Sequence, residues 1–345
     1  MAGATLYIDG LNTDLRTEGA ALILRREGKR VSSVPLSMVD RLVVPGNATF
    51  DARTVRKLAE RGIALLFTSP RSGLAKARLT GPGHSDAGIR LAQYRAACDG
   101  QFTRRWAAAL VRAKLQAQAR TLERWASDRP AAGRPVKVAQ GTISPAIERL
   151  RVAGSAGDLS LDTIRGIEGG AAAVYFKAMQ QMFAPSLEFT ARRRRPPPDP
   201  INAALSLAYT LAFNSVANQA WVRGLDPCIG FLHEPDWKRE SLAADLVEPV
   251  RPLIDAWVVG AFAQRKIRKE HFSTKDGSCL LGKAGREHFY REYEGVRAVS
   301  GRMTERLCTL LIRQLRVGDA KDPATLLAGY DDGVISGSSR EEAVS

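Results

Sequence analysis

Thr80-Gly-Pro-Gly-His-Ser-Asp86 divides the chain into two patterns. Glycines around a proline, followed by short polar residues, support neither an alternating strand nor a helical repeat, so the stretch marks a domain break. Upstream, Leu6-Tyr-Ile8, Ala21-Leu-Ile-Leu24, Arg30 to Leu36 and Arg41-Leu-Val-Val44 are short apolar runs separated by Gly10, Gly28 and Gly46, and they predict strands. One helix interrupts them: Asp51 can cap Ala52 to Arg61 and Gly62 can end it, before Ile63 to Phe67 resumes as a buried strand. Downstream, from Ile89, the apolar period becomes helical, and Gln93 to Trp125 reads as one long amphipathic helix. Asp128 to Gln140, with Pro130, Gly133 and Pro135, predicts an exposed connector. The expected fold class is α+β: a β-rich domain over 1–80, a linker over 81–88, a larger all-helical domain over 89–330 and a frayed polar tail over 331–345.

With 345 residues and 45% hydrophobic content, the chain can bury two cores. It has no run of eighteen apolar residues, and Met1 to Asp9 lacks the cationic start and apolar segment of a secretion signal, so no membrane association and a cytoplasmic location are expected. Cys98, Cys228, Cys279 and Cys308 show no CxxC spacing and are expected to be reduced core thiols. The formal charge of +15, from 51 basic and 36 acidic residues, makes nucleic acid the natural partner, although Arg on solvated faces gives the same count.

Four motifs carry chemistry. In Leu161 to Met182, Glu168 falls on the same helical stripe as Ile164, Ala171, Tyr175, Ala178 and Met182, so a carboxylate points where apolar side chains point. Such a group needs a cation opposite, either an Arg or a metal. Gly166, Gly169 and Gly170 weaken that helix and predict close approach of a backbone or ligand. Ile229-Gly-Phe-Leu232 delivers His233 ahead of a helix expected to be capped near Asp236; a structural histidine is the plain alternative. Asp245 and Glu248 stand at i and i+3 on one helix face, with Ser241 one turn before Asp245, and two like charges there call for a counter-charge unless solvent takes them. Arg192, Arg193, Arg194 and Arg195 precede Pro196-Pro-Pro198 and are expected to be held out from the core, as a phosphate-binding group or as a solvated loop. Asp199 then caps a helix with Pro200 in its first turn that Gly224 stops. Gathered on one ion, Glu168, His233 and Glu248 suit Mn²⁺ or Mg²⁺.

Gly166-Ile-Glu-Gly-Gly-Ala-Ala-Ala-Val-Tyr-Phe176, Arg194-Arg-Pro-Pro-Pro-Asp-Pro-Ile-Asn-Ala203, Gly224-Leu-Asp-Pro-Cys-Ile-Gly-Phe-Leu-His233 and Arg239-Glu-Ser-Leu-Ala-Ala-Asp-Leu-Val-Glu-Pro-Val-Arg-Pro252 resemble, in order, the signatures of the Cas-one family of CRISPR spacer-acquisition endonucleases and integrases. The resemblance implies a β-domain that mediates dimerisation, a helical catalytic domain, and a Mn²⁺ or Mg²⁺ site of Glu168, His233 and Glu248 with Asp245 beside it. It also implies a homodimer, two dimers being bridged by a small Cas-two partner into a heterohexamer. The activity implied is insertion of short DNA fragments into a CRISPR repeat array by 3′-hydroxyl attack on a phosphodiester. A transposon-type integrase of the same fold and a non-catalytic DNA-binding scaffold are the alternatives. Ala244, Val247 and Val250 depart from larger apolar residues frequent in the family, and no functional residue is carried over beyond Lys283.

Overall fold

The computed structural model describes residues 4–8, 12–69, 75–79, 86–130, 133–194, 196–275 and 277–317. The N-terminal part holds two four-stranded mixed sheets. One orders β1 (Ala4–Tyr7), β5 (Val39–Val44), β7 (Ala64–Thr68) and β8 (Ala75–Leu79); the other orders β4 (Lys29–Pro35), β3 (Ala21–Arg26), β2 (Thr13–Glu18) and β6 (Ala48–Phe50). Strands β1, β5 and β7 are parallel, whereas β2, β3 and β4 form an antiparallel meander. Helix α1 (Ala52–Glu60) starts where Asp51 Oδ1 accepts the Thr54 amide at 2.6 Å and ends before Gly62, whose φ of 69° suits glycine.

Strand periodicity places the sheet that holds β5 and β7 between two cores. Leu42, Val44 and Leu65 pack with Leu15, Leu22 and Leu58, while Val43 and Leu66 face the helical core. Because both faces are buried, these strands read as continuous apolar runs without alternation. Tyr7 stacks on Tyr290 with ring centroids 3.7 Å apart, and Arg41 donates to Ser215 Oγ at 3.0 Å, so the sheet is fixed to the helices.

The helical part comprises α2 (Ala87–Cys98), α3 (Gly100–Asp128), α4 (Gly133–Arg149), α5 (Leu161–Gln180), α6 (Pro200–Val222), α7 (Ser241–Val247), α8 (Arg251–Ala263) and α9 (Lys283–Val317). The single helix expected over Gln93 to Trp125 is broken at Asp99, whose carboxylate accepts the amides of Gln101 at 2.9 Å and Phe102 at 3.3 Å and so starts a new helix. The expected connector is also overturned. From Gly133 onward it is α4, because Pro135 sits in a first turn whose amides have no intrahelical acceptors, and Val136, Ala139 and Ile143 bury a stripe. Nor is this part all-helical: β9 (Phe272–Lys275) and β10 (Ser278–Leu281) form an antiparallel hairpin, which the Cys279 amide ties to Pro197 O at 2.8 Å. Cys98 and Cys228 are exposed, contrary to expectation, and only Cys279 and Cys308 are core thiols. The proposed linker lies largely, and the tail wholly, outside the described residues. Among the described residues no helix is long and apolar enough to cross a membrane.

Candidate functional site

Helix α5 begins at Ser160, whose hydroxyl accepts the Thr163 amide at 3.1 Å, and buries Ile164, Ala171, Tyr175 and Ala178 as the stripe predicts. Glu168 ends at the rim of that stripe, its side chain 27% exposed. A methyl group added at Gly166, Gly169 or Gly170 would meet nothing within 4 Å, so among the described residues no backbone approaches these glycines closely.

The counter-charge comes from α3. Lys114, only 6% exposed, donates its ammonium to Glu168 Oε1 and, at 2.6 Å, to Glu248 Oε2. Burial would discharge this amine, but Glu248 and Glu168 keep it charged and lift its pKa above the ordinary lysine value. Sequence reasoning missed it, although the rule that flagged Glu168 applies: a lysine stands among Leu110, Val111 and Leu115, all buried. Glu248, 7% exposed, follows α7 in a 3₁₀ turn (Glu248–Val250) and also takes Arg251 at 3.2 Å. Burial pushes the Glu248 carboxyl up; Arg251 and Lys114 overcome that and hold it at about 2, with His233 adding to the pull.

A second layer lies behind Arg251. Its guanidinium sits 5.1 Å from the Tyr209 ring centroid, and that of Arg192 sits 5.4 Å from it. The Tyr209 hydroxyl donates to Asp255 Oδ1, and burial pushes Asp255 up to about 6 despite Tyr209 and Arg251.

His233 is held by Asp245, which is fully buried. Asp245 accepts the amides of Phe231 at 2.6 Å, Leu232 at 2.9 Å and His233 at 2.9 Å, and its Oδ1 lies 2.8 Å from His233 Nδ1. An ionised carboxylate only accepts, so Nδ1 is the donor in this pair, and in the neutral tautomer that this selects Nε2 keeps its lone pair for a ligand. Gly230 makes the close packing possible: a Cβ there would come within 2.7 Å of the Ser241 backbone and 2.9 Å of Asp245 Oδ2. Ser241 Oγ donates to Glu234 O at 2.8 Å, and Arg165 donates twice to Leu232 O, at 3.0 and 2.9 Å. No helix forms at Asp236; α7 starts at Ser241, and the intervening loop is held by these side chains instead. Asp245 and Glu248 therefore do not share a counter-charge: the first serves the histidine loop, the second Lys114 and Arg251.

Glu168 and Glu248 thus meet on Lys114, and His233 lies near enough to Glu248 to help hold its carboxyl low. Among the described residues no group of three His, Cys, Asp or Glu side chains converges closely enough to enclose a metal ion. The arginine run splits. Arg192, expected outside the core, turns inward to Asn202 Oδ1 at 2.9 Å and Ser206 Oγ at 3.1 Å, because those acceptors and the Tyr209 face satisfy a guanidinium better than bare solvation of its stem. Arg193 and Arg194 are exposed, and Arg195 lies outside the described residues.

Residues 6–295 match the family model of CRISPR associated protein Cas1. The chain belongs to the Cas1 family. CRISPR-associated endonuclease Cas1 1 of Thermodesulfovibrio yellowstonii is 34% identical over 296 residues, spanning 84% of this chain and 90% of that protein. The Cas1 protein TM1797 of Thermotoga maritima shares the fold with a TM-score of 0.77 at 21% identity, covering 90% of this chain and 96% of that one. A casposase bound to integration product gives the same TM-score, 0.77, at 18% identity, over 90% of this chain and 91% of that one. The Cas1 relatives bear the name of CRISPR-associated endonucleases.

Proposed function

We propose that the chain is a divalent-metal-dependent DNA endonuclease and integrase that inserts short DNA fragments into a CRISPR array. The observation that carries this is the pair Glu168 and Glu248, both drawn to one cation, beside a histidine whose Nε2 is kept available by Asp245. The donor set suits Mn²⁺ or Mg²⁺, which Glu168, Glu248 and His233 would hold. Such an ion, when bound, would polarise a phosphoryl oxygen and ease deprotonation of a hydroxyl near neutral pH. Arg251 and Lys114 keep Glu248 ionised across the physiological range, so it is a ready anionic ligand. Lys114 neutralises the two carboxylates that would otherwise repel each other across a poorly solvated gap. In the reaction, the fragment's 3′-hydroxyl oxygen bonds to a repeat phosphorus as the existing bond to a 3′-oxygen breaks; one 3′-hydroxyl is consumed and one is released. The chain acts as a homodimer, with a small Cas-two-type protein bridging two dimers.

Glu168→Ala, His233→Ala and Glu248→Ala should each abolish Mn²⁺-dependent joining of a duplex fragment to a plasmid-borne array while the dimer stays folded. Full activity in any one removes that residue from the site. DNA binding without any metal-dependent strand transfer by the wild type would leave only a scaffold role.

A further inference from the structure

Helices α6 and α8 pack against each other, and their contact carries a set of polar side chains behind Glu248. Spacing explains which. Asn202, Ser206 and Tyr209 follow one another by a helical turn on α6, and Arg251 and Asp255 stand a turn apart on α8, so each set lies along one helix face. Tyr209 meets both members of the second set. Its ring takes the Arg251 guanidinium, 5.1 Å from the centroid, and its hydroxyl donates to Asp255 Oδ1.

Arg251 and Asp255 are natural partners that do not pair. Opposite charges a turn apart on a helix are neighbours, yet the guanidinium reaches away from Asp255 to Glu248 Oε1 at 3.2 Å. Its anchoring there is slight. Arg251 Nε is buried without a hydrogen-bond partner, and Glu248 is the one carboxylate it pairs with among the described residues, so the ring decides where the group rests. A tyrosine suits that task. Its π face attracts a guanidinium without neutralising it, which leaves the full charge for Glu248, while its hydroxyl occupies the acid that would otherwise compete. The other cations nearby are committed. Arg192 shares the ring at 5.4 Å but donates to Arg193 O at 2.8 Å, Asn202 Oδ1 at 2.9 Å and Ser206 Oγ at 3.1 Å, and Lys114 is held by Glu168 and Glu248.

We propose that Tyr209 is a positioning residue: by holding Asp255 with its hydroxyl and Arg251 with its ring, it keeps that guanidinium on Glu248 and so sets the positive charge at the candidate metal site. This rests on the proposed metal site and adds what tunes it, since a cation fixed on a ligand carboxylate limits how tightly a dication is held there. The test removes the hydroxyl alone. In Tyr209→Phe, Asp255 should draw Arg251 back by one turn, and adding Asp255→Asn removes that competitor and should return it. Urea unfolding in EDTA reads the Arg251–Glu248 coupling through Arg251→Met, Glu248→Gln and the two together. That coupling should fall by about half or more in Tyr209→Phe and recover when Asp255→Asn is added. An undiminished coupling, or a loss that Asp255→Asn does not reverse, overturns the inference. A second reading, Mn²⁺ binding to the chain without DNA followed by electron paramagnetic resonance, requires no change at Arg251 or Glu248. Affinity should rise roughly threefold or more in Tyr209→Phe, because Arg251 then stands farther from the ion, and return to the wild-type value with Asp255→Asn. Weaker or unchanged binding overturns the inference, because a merely loosened core would not tighten the site. A wild type that takes up no Mn²⁺ while the coupling shifts as expected would refute the proposed metal function and leave the role of Tyr209 standing.

Discussion

Replacing Lys114 by methionine removes the ammonium between Glu168 and Glu248 and keeps an apolar stem of similar length. Glu248 is held at about 2 against an ordinary 4.5, which corresponds to ~3 kcal/mol of stabilisation of its ionised form at about 1.4 kcal/mol per unit. Burial works against that value, and Arg251 and Lys114 supply the opposing pull. Lys114 is the nearer of the two cations, at 2.6 Å against 3.2 Å. Both members of this pair are nearly dry, so solvent screens little of the interaction; Glu168, more exposed, contributes less. The expected loss in Lys114→Met is about 2–4 kcal/mol at neutral pH, since breaking one side of a buried pair strands the other charge. In a chain of this size that is a fall in melting temperature of roughly 3–6 °C. Circular dichroism melts in EDTA and in Mn²⁺ check the attribution. Mn²⁺ should restore more stability to Lys114→Met than it adds to the wild type, because a dication replaces the missing positive charge. Equal melting temperatures in EDTA, or an equal Mn²⁺ gain in both proteins, would refute the reasoning.

Two buried acids give opposite pH dependences. Glu248, with its pKa depressed to about 2, contributes stability that is present above about pH 4.5 and lost as pH falls toward 2. Asp255, pushed up to about 6, contributes stability that is full below about pH 4 and lost as pH rises through 6, so Asp255→Asn should gain about 1–3 kcal/mol at pH 8 and little at pH 4 in urea unfolding; equal gains at both would locate the effect elsewhere. Asp245→Asn turns one of two fully used acceptor oxygens into a donor and should cost about 2–4 kcal/mol while exposing the loop 231–240 to proteolysis; a wild-type digestion rate would contradict this. Neutralising Arg193 and Arg194 should lower the slope of log affinity for DNA against log salt by up to about 2 without destabilising the fold. Arg192→Ala should instead lower the melting temperature, because its guanidinium is bonded to Asn202 and Ser206.

What was legible in the sequence follows from how each signal is generated. Apolar period and capping residues are local, so the β-then-α order, α1 behind Asp51 and α6 between Asp199 and Gly224 could be read directly. Strands β2, β6 and β8 were not anticipated: β6 is three residues long, and β2 and β8 interleave Arg with apolar positions. The break at Asp99 was hidden because its side chain competes with a helical pattern that runs through it, and α4 was hidden because Gly133 and Pro135 are breakers everywhere except in a first turn. At the site, Glu168, His233 and Glu248 announced themselves as polar groups in apolar stretches. Their partners did not, because pairing across α3 and α5, or across α6 and α8, is a property of packing that no spacing encodes. Lys114 and Asp255 carried the same kind of signal as Glu168 but lacked a motif to draw attention to them.

Helix α3 packs against α4, α5, α7 and α8 and is buried on nearly every side, with Lys114 midway along its 29 residues. Adding or removing one residue ahead of Lys114 would swing its ammonium by about 100° and shift it about 1.5 Å along the axis, and the surrounding helices leave no room for the rod to slide back. The spacing from Asp99, which starts α3, to Lys114 is therefore set by a single amine, whereas the turns of α3 beyond Lys114 carry no such constraint from it.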